Sequence, residues 1–327
     1  MKKLVWIAAA MVLMMTVCVA CAETASEPVP TLVPVLELPE LETGTITERT
    51  LEEDVTENPN PPRDDCYIYD DAESEIPTGY ADPSITVNIG RGRIYETDYV
   101  YARIKIASPM QMRTMLASPL SSKSTKAAAD LAKRVQSVIA INGDWCGGNE
   151  YFKGAILRQG KTLRMKASGD LDVLVVDMEG NFHILKTATN EDVEPWVENA
   201  AQIFTFGPGL VIDGEPQYGI VLGKIASRKA AQRMAICQTG ELEYMVITSE
   251  GPEDPGSAGL NLDQFVELVS SFPDVKNAYN LDGGSSSTVV FRKGDSNWEK
   301  INCPNNTKVR WVKDIIYFVS TYEHEVQ

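Results

Sequence analysis

The chain has 327 residues, 43% of them hydrophobic, and a formal net charge of −16. That is enough for one large domain or two, with apolar content for a core. The acidic balance argues against nucleic acid as a partner, because binding a phosphate backbone needs a basic face.

Lys2 and Lys3 precede an apolar run from Leu4 to Val19, followed by Ala20-Cys21-Ala22. Charged, apolar and small residues in that order predict an export signal over residues 1–22. Its end reads as cleavage after Ala22 or as a bacterial lipobox, Val19-Ala20-Cys21, with Cys21 lipidated. Cys18 stands where that motif usually has Leu. An uncleaved anchor helix is the third reading, since the run approaches the ~20 residues that span a bilayer. All three place the rest of the chain outside the cytoplasm, secreted or held at a bacterial cell envelope. The membrane is reached only through this signal or its lipid.

Residues 23–65 hold 12 acidic and 2 basic side chains and seven of the 18 prolines. Such a stretch buries too little apolar surface to offset ordering entropy. It predicts a disordered spacer, with a transition through residue 83 and a folded domain over 84–327.

Within that domain, Ile85–Ile89 and Tyr99–Ile106 alternate as half-buried strands do. Met110–Met115 reads as a short helical turn. Ser124 or Thr125 opens a helix to Gln136 with Ala128, Leu131, Ala132 and Val135 on one face. Ser137–Ile141 reads as a buried strand ending in Asn142-Gly143-Asp144-Trp145-Cys146-Gly147-Gly148. Leu171–Asp177 and Asn181–Lys186 form a hairpin, with His183 in its second strand. Asn190 opens a helix toward Ala201, with Pro195 confined to its first turn or a kink. Phe206-Gly207-Pro208-Gly209 turns into a strand, and residues 215–232, with Lys224, Arg228 and Lys229, form a loop. Arg233–Cys237 and Tyr244–Thr248 are strands, Asn261 and Gln264 form a capping box, and Ile315–Val319 closes the fold. Strands outnumber helices without β-α-β alternation. The predicted class is therefore α+β: a mixed, largely antiparallel sheet with a few packed helices in a single main domain.

The chain converges on Asn280-Leu281-Asp282-Gly283-Gly284-Ser285-Ser286-Ser287-Thr288, between two strand-like runs. The glycines permit a tight turn and close approach to main-chain N–H groups, which can form an anion-binding nest. Asp282 stands at a strand end, as Asp144 does in the first glycine-rich turn. Cys66, Cys146, Cys237 and Cys303 lack the C-x-x-C pairs of a zinc site and are disulfide partners or buried thiols. With only His183 and His324 in the chain, a serine nucleophile at Ser286 or Ser287 has no evident base.

Asn142-Gly143-Asp144, Phe206-Gly207-Pro208, Arg233-Met234-Ala235-Ile236 and Asn280–Thr288, in that order, resemble the phosphodiester glycosidase family over about residues 84–321. That family includes the enzyme that uncovers mannose 6-phosphate and many bacterial exopolysaccharide-related proteins. The chain departs from its pattern at Asp144-Trp145-Cys146, which replaces an aromatic-rich run. Met234, Cys237 and Ser285 replace Thr, Gly and the third Gly.

The resemblance implies hydrolysis of a sugar-1-phosphodiester, such as one of N-acetylglucosamine, in envelope or extracellular glycans. A phosphate monoester is an anionic leaving group that needs charge stabilisation more than protonation. Asp282 is then the expected base or nucleophile, with Asp144 second, and Arg233 the expected bidentate phosphate contact. Asn142, Gly143, Asn280, Gly283, Gly284, Ser286 and Ser287 are the expected substrate-binding residues, and Trp145 and Trp196 candidate stacking platforms for the sugar. No cofactor is required. A divalent cation has room among the clustered Asp and Asn oxygens, although no loop has EF-hand spacing. A glycan-binding protein of polysaccharide biogenesis without catalysis is the alternative.

Overall fold

Alternation of side chains along the strands decides the architecture. In the computed structural model, which describes residues 32–51, 60–70, 76–146, 154–220, 228–293, 297–303 and 310–324, strand Arg233–Gly240 turns Met234 and Ile236 toward one apolar cluster. Ala235 and Cys237 face another. Its neighbour Glu243–Ser249 repeats the division, with Tyr244 and Val246 on the first side and Met245 and Ile247 on the second. Both faces of this sheet are therefore covered, as the period of two requires.

These strands belong to a nine-stranded sheet that also contains Glu215–Pro216, Gly209–Ile212, Asn277–Asn280, Thr97–Ile106, Ile85–Ile94, Gly79–Asp82 and Tyr67–Ile68. A five-stranded sheet runs Asn297–Lys300, Val289–Lys293, Ile139–Asn142, Asp314–Phe318, Met112–Leu116. A second runs Phe182–Leu185, Val173–Asp177, Ala200–Thr205, Ile156–Arg158, Lys161–Arg164. Every pairing between these strands is antiparallel. All three sheets contribute to one central core, with Ile104, Ile236 and Tyr279 from the first, Ile141 and Phe318 from the second, and Leu174 and Phe204 from the third. This is the expected α+β class in a single domain.

Helices cover the outer faces. Helix α1, Ala128–Arg134, lays Ala128, Leu131 and Ala132 on the sheet that holds Ile139–Asn142. Its N-cap is Ala127 rather than Ser124 or Thr125, because the bridge of Lys126 to Val312 keeps the chain extended until then. Helix α2, Asn190–Val193, is capped by Thr189 with Asp192 and passes into 3₁₀ geometry over Glu194–Asn199, where Pro195 sits at the start. Asn190, the expected cap, instead accepts from the Ala167 N–H at 2.7 Å. Helix α3, Leu262–Ser270, opens on the predicted Asn261–Gln264 box, a motif worth about 1 kcal/mol. It buries Phe265, Val266 and Val269 against the nine-stranded sheet, at about 1.5–3 kcal/mol each. Met110–Met115 is helical only over Pro109–Gln111, after which Met112–Leu116 pairs with Asp314–Phe318.

The acidic segment departs from the expected disorder wherever it is described. Thr45–Ile46 pairs with Tyr322–Glu323. The Thr86 hydroxyl donates to the Leu36 carbonyl at 2.7 Å, and buried Arg113 donates to that of Thr50 at 3.0 Å. The sheet supplies the partners that composition alone does not reveal. The boundary at residue 84 also moves, since Tyr67–Ile68 and Gly79–Asp82 are strands of the large sheet. Asp82 is buried and accepts from Tyr80, Ser84 and Ser320 side chains. Residues 1–31, which carry the export-signal reading, lie outside the described residues. Cys66, Cys146, Cys237 and Cys303 are free thiols. Among the described residues no helix is long and apolar enough to cross a membrane.

Candidate active site

The two glycine-rich strand ends meet. Asn142 ends its strand and spans the gap with its amide. Nδ2 donates to the Asp282 carbonyl at 2.8 Å, and Oδ1 accepts from the Thr288 N–H at 3.0 Å. Its side chain is thereby committed to holding the 282–288 loop. Asn280 is committed in part: Nδ2 donates to the Gly207 carbonyl at 2.8 Å and its own N–H reaches the Pro208 carbonyl, while its buried Oδ1 has no hydrogen-bond partner among the described residues. The Gly207-Pro208 turn and the Asn280 stretch, 73 residues apart, are thus one structural unit. Gly143 has no room for a side chain: a Cβ would lie 2.3 Å from the Asp314 carboxylate.

The loop itself differs from an open nest. The Gly284 N–H is bound to the Gln232 carbonyl at 2.9 Å, and the Gly283 N–H is turned onto the Asp282 carboxylate. A Cβ on Gly283 would meet the Gln232 carbonyl at 2.7 Å. The glycines therefore allow close packing against Gln232 rather than exposing two free donors.

Asp282 lies at a narrow cleft with Asn142, Gly143, Trp145, Ser286, Arg310, Trp311, Lys313 and Asp314, whose free volume of about 10 Å³ has room for about one water. Burial pushes its carboxyl up to about 6, against the opposing pull of the Ser286 hydrogen bond and the Arg310 charge. Arg310 also donates to the Ser286 hydroxyl at 3.4 Å, and its main-chain N–H holds the Ser285 carbonyl. Trp311 is 61% exposed at the same cleft, an indole face on the surface beside a carboxylate. Trp145, at φ +54°, holds a backbone conformation that bulky residues rarely adopt.

Behind the cleft lies a buried charge cluster. Arg158 donates to Asp144 at 2.7 Å and to Asp314 at 3.0 Å, with all three side chains almost wholly excluded from solvent. It also donates to the Ile203 carbonyl and stacks on Phe204 at 4.3 Å. The second Asp144 oxygen accepts from the Thr205 N–H at 2.8 Å. Burial, and then the neighbouring Asp144, push the Asp314 carboxyl up to about 7. One guanidinium thus serves two carboxylates. Asp144, Cys146 and Asp314 bring ligand atoms within 4.8 Å of one another, but Arg158 already supplies the positive charge there.

Arg233 is placed differently from its expected role. Its guanidinium donates to the Leu260 carbonyl at 3.1 Å and the Lys229 carbonyl at 2.6 Å. Burial lowers its pKa to about 10. It braces two segments of main chain, and Arg310 is the arginine at the cleft. Ser286 and Ser287 are buried, and no histidine serves them. His183 is bonded to Asp177 at 2.8 Å and stacked on Trp196, in another sheet, while His324 meets Tyr322. Trp196 is accordingly no part of the cleft. Arg228 and Lys229 are exposed; Lys224, Gly147 and Gly148 lie outside the described residues.

Arg158, Arg310, Trp311 and Asp314 escape a sequence reading that looks for glycine-rich turns. Arg310 and Trp311 follow an unpatterned stretch, and Asp314 immediately precedes an apolar run that hides it as a strand residue.

The model of the phosphodiester glycosidase family matches residues 136–319, more than half of the chain, and spans both strand ends, the Gly-Pro turn and Arg310. The chain belongs to the phosphodiester glycosidase family. No curated protein matches it significantly. Among solved structures it is similar to the catalytic domain of zebrafish N-acetylglucosamine-1-phosphodiester alpha-N-acetylglucosaminidase, auto-inhibited by its pro-peptide. The two are 15% identical at a TM-score of 0.56, covering 78% of this chain and 87% of that one. A hypothetical protein from Synechocystis is 16% identical at a TM-score of 0.46, covering 72% of this chain and 62% of that one. At such identity the zebrafish enzyme speaks for the fold of this phosphodiester glycosidase relative. Its cleft chemistry has to be argued from its own residues.

Proposed function

We propose that this protein is an exported hydrolase that cleaves a sugar-1-phosphodiester, releasing the sugar from a phosphate monoester. The observation that carries the reading is Asp282, a carboxyl raised to about 6 at a cleft shared with Arg310, in a chain of this family. In its ionised form Asp282 either attacks the anomeric carbon, forming a glycosyl ester that water then hydrolyses, or takes a proton from a water that attacks directly. The bond from that carbon to the phosphate oxygen breaks, and its electron pair leaves with the phosphate. Arg310 stabilises the departing anion in the place first expected of Arg233. Trp311, with Trp145, offers a stacking face to the sugar. Asp144 acts through Arg158 and Asp314 as part of the cleft floor, and Asn142, Asn280 and Gly143 hold the loop in place. No step calls for a cation. N-acetylglucosamine is the sugar of first choice, on the activity named for the zebrafish relative. Export rests on the N-terminal Lys2-Lys3 and apolar run.

Arg310→Ala is expected to lower kcat/KM by about 10²–10³, the range for losing one charge-stabilising donor, and Arg310→Lys to recover part of it. Steady-state kinetics on a sugar-1-phosphodiester checks this; an unchanged kcat/KM removes Arg310 from the mechanism. The pH profile follows from Asp282. Since the ionised form reacts, kcat/KM rises with pH through about 6, and a profile flat from pH 4 to 8 contradicts that assignment.

A glycan-binding protein without catalysis is the second reading. It is favoured by the small free volume at Asp282, about 10 Å³, which leaves the carboxyl little room to reach a sugar. It predicts saturable binding of a phosphoglycan with neither sugar nor phosphate released.

A further inference from the structure

A second cluster lies apart from Asp282 and has no part in the proposed reaction. Glu250 follows the strand Glu243–Ser249, Asp254 stands in the turn after it, and Cys303 arrives from beyond Asn297–Lys300. The three bring their ligand atoms within 4.8 Å of one another. They are 3%, 4% and 1% exposed. Two observations besides the clustering point to a ligand. The first is a pair of orphaned acceptors. Glu250 Oε2 and Gln232 Oε1 are buried without a hydrogen-bond partner, and each such atom costs about 1–3 kcal/mol if nothing answers it. The second concerns the sulfur. Cys303 Sγ accepts from the Gln232 amide at 3.0 Å and from the Asn302 amide at 3.5 Å. Two N–H donors aimed at one sulfur suit a thiolate, whereas without an ion, burial and then the hydrogen bond to Glu250 hold Cys303 as the neutral thiol, and the Cys303 N–H donates to Glu250 Oε1 at 2.7 Å.

We propose that Glu250, Asp254 and Cys303 bind a thiophilic divalent cation of the zinc class. A cation answers the Glu250 oxygen and the sulfur, and leaves Gln232 Oε1 as it is. It takes Glu250 Oε2 as a ligand and makes the thiolate compatible with its acidic neighbours. A mixed sulfur and carboxylate set selects zinc over magnesium or calcium, which prefer oxygen alone. Separations of this order are those of ligands about 2.0–2.3 Å from a shared ion. Arg91 and Lys300 are the cationic side chains that face Glu250; among the described residues neither forms an ion pair with it. A cavity of about 290 Å³, lined by Arg91, Asp98, Glu250 and Asp254 among others, adjoins the cluster and gives an ion a way in. Gln232 donates to the sulfur through its side chain and holds Gly284 through its carbonyl. The cation therefore fixes the residue on which the Asp282 loop rests.

The test uses the full chain, stripped with chelator and titrated with Co²⁺. Binding through Cys303 produces a thiolate-to-cobalt charge-transfer band in the near ultraviolet, displaced by Zn²⁺. The band is lost in Cys303→Ser and kept in Cys146→Ser. In Glu250→Gln, shown folded by circular dichroism, Zn²⁺ displaces the band with an affinity at least about tenfold weaker, the lower end of what even an outer-shell partner contributes. The Glu250 variant decides the matter where Cys303→Ser fails to fold. Absence of a band, its persistence in Cys303→Ser, its loss in Cys146→Ser, or an unchanged Zn²⁺ affinity in Glu250→Gln each overturns the proposal. None of these readouts depends on hydrolysis, so the assignment stands or falls separately from the proposed reaction.

Discussion

Asp282→Asn is expected to lower kcat on a sugar-1-phosphodiester by about 10³-fold or more while leaving the fold intact. The amide keeps the shape of the side chain and its contact with Ser286. It can neither attack the anomeric carbon nor accept a proton from water, and such roles carry about 10²–10⁴ in rate or more. The fold should not suffer. Burial raises the Asp282 carboxyl from 3.8 to about 6, so between those values the folded protein binds more protons than the unfolded chain. Stability from this group is present below about pH 4 and is lost as pH rises through 6. Removing the charge removes that decline, so the variant should be at least as stable as the parent at pH 7. Urea denaturation of both proteins, beside their kinetics, separates chemistry from folding. A variant that is inactive only because it is unfolded would leave the role of Asp282 unsupported.

The largest structural effect is expected at Arg158. Arg158→Met should cost about 3–5 kcal/mol, because Asp144 and Asp314 are left as buried carboxylates without their cation. The sign of its pH dependence is fixed by the same geometry. At pH 5 Asp314, already raised to about 7 beside Arg158, takes up a proton and relieves part of the cost, whereas at pH 8 it is stranded as a buried anion. The loss should therefore be greater at pH 8 than at pH 5. Adding Asp314→Asn, which removes the carboxyl raised to about 7, should restore part of the stability at pH 8. Denaturant titrations at both pH values make the comparison. An equal loss below 1 kcal/mol at both would mean that the cluster is solvated and the ion pairs contribute little.

The division between what the sequence disclosed and what it hid has physical reasons. The period-two runs at Arg233–Cys237 and Tyr244–Thr248 appear as strands because both of their faces are buried. The Asn261–Gln264 box appears as a helix start because the cap is local to four residues. The two glycine-rich strand ends were legible as a pair, and Asn142 joins them. What stayed hidden depends on partners distant in sequence. The acidic segment is ordered by Tyr101, Thr86 and Lys105 on the sheet, none of which its own composition reveals. Arg158 meets Asp314 across 156 residues, and no local pattern marks either. Arg233 carries a family motif, yet its guanidinium is spent on two carbonyls that only the fold brings to it. Arg310 stands in a stretch without pattern and becomes visible as a site residue only beside Asp282.

The most direct test of the proposed reaction is hydrolysis of an N-acetylglucosamine-1-phosphodiester in water enriched in oxygen-18. If the bond from the anomeric carbon is the one that breaks, the label enters the released sugar and the phosphate monoester remains unlabelled, with no turnover in Asp282→Asn. Label in the phosphate, or equal turnover by the Asp282 variant, would contradict a glycosidase acting through Asp282.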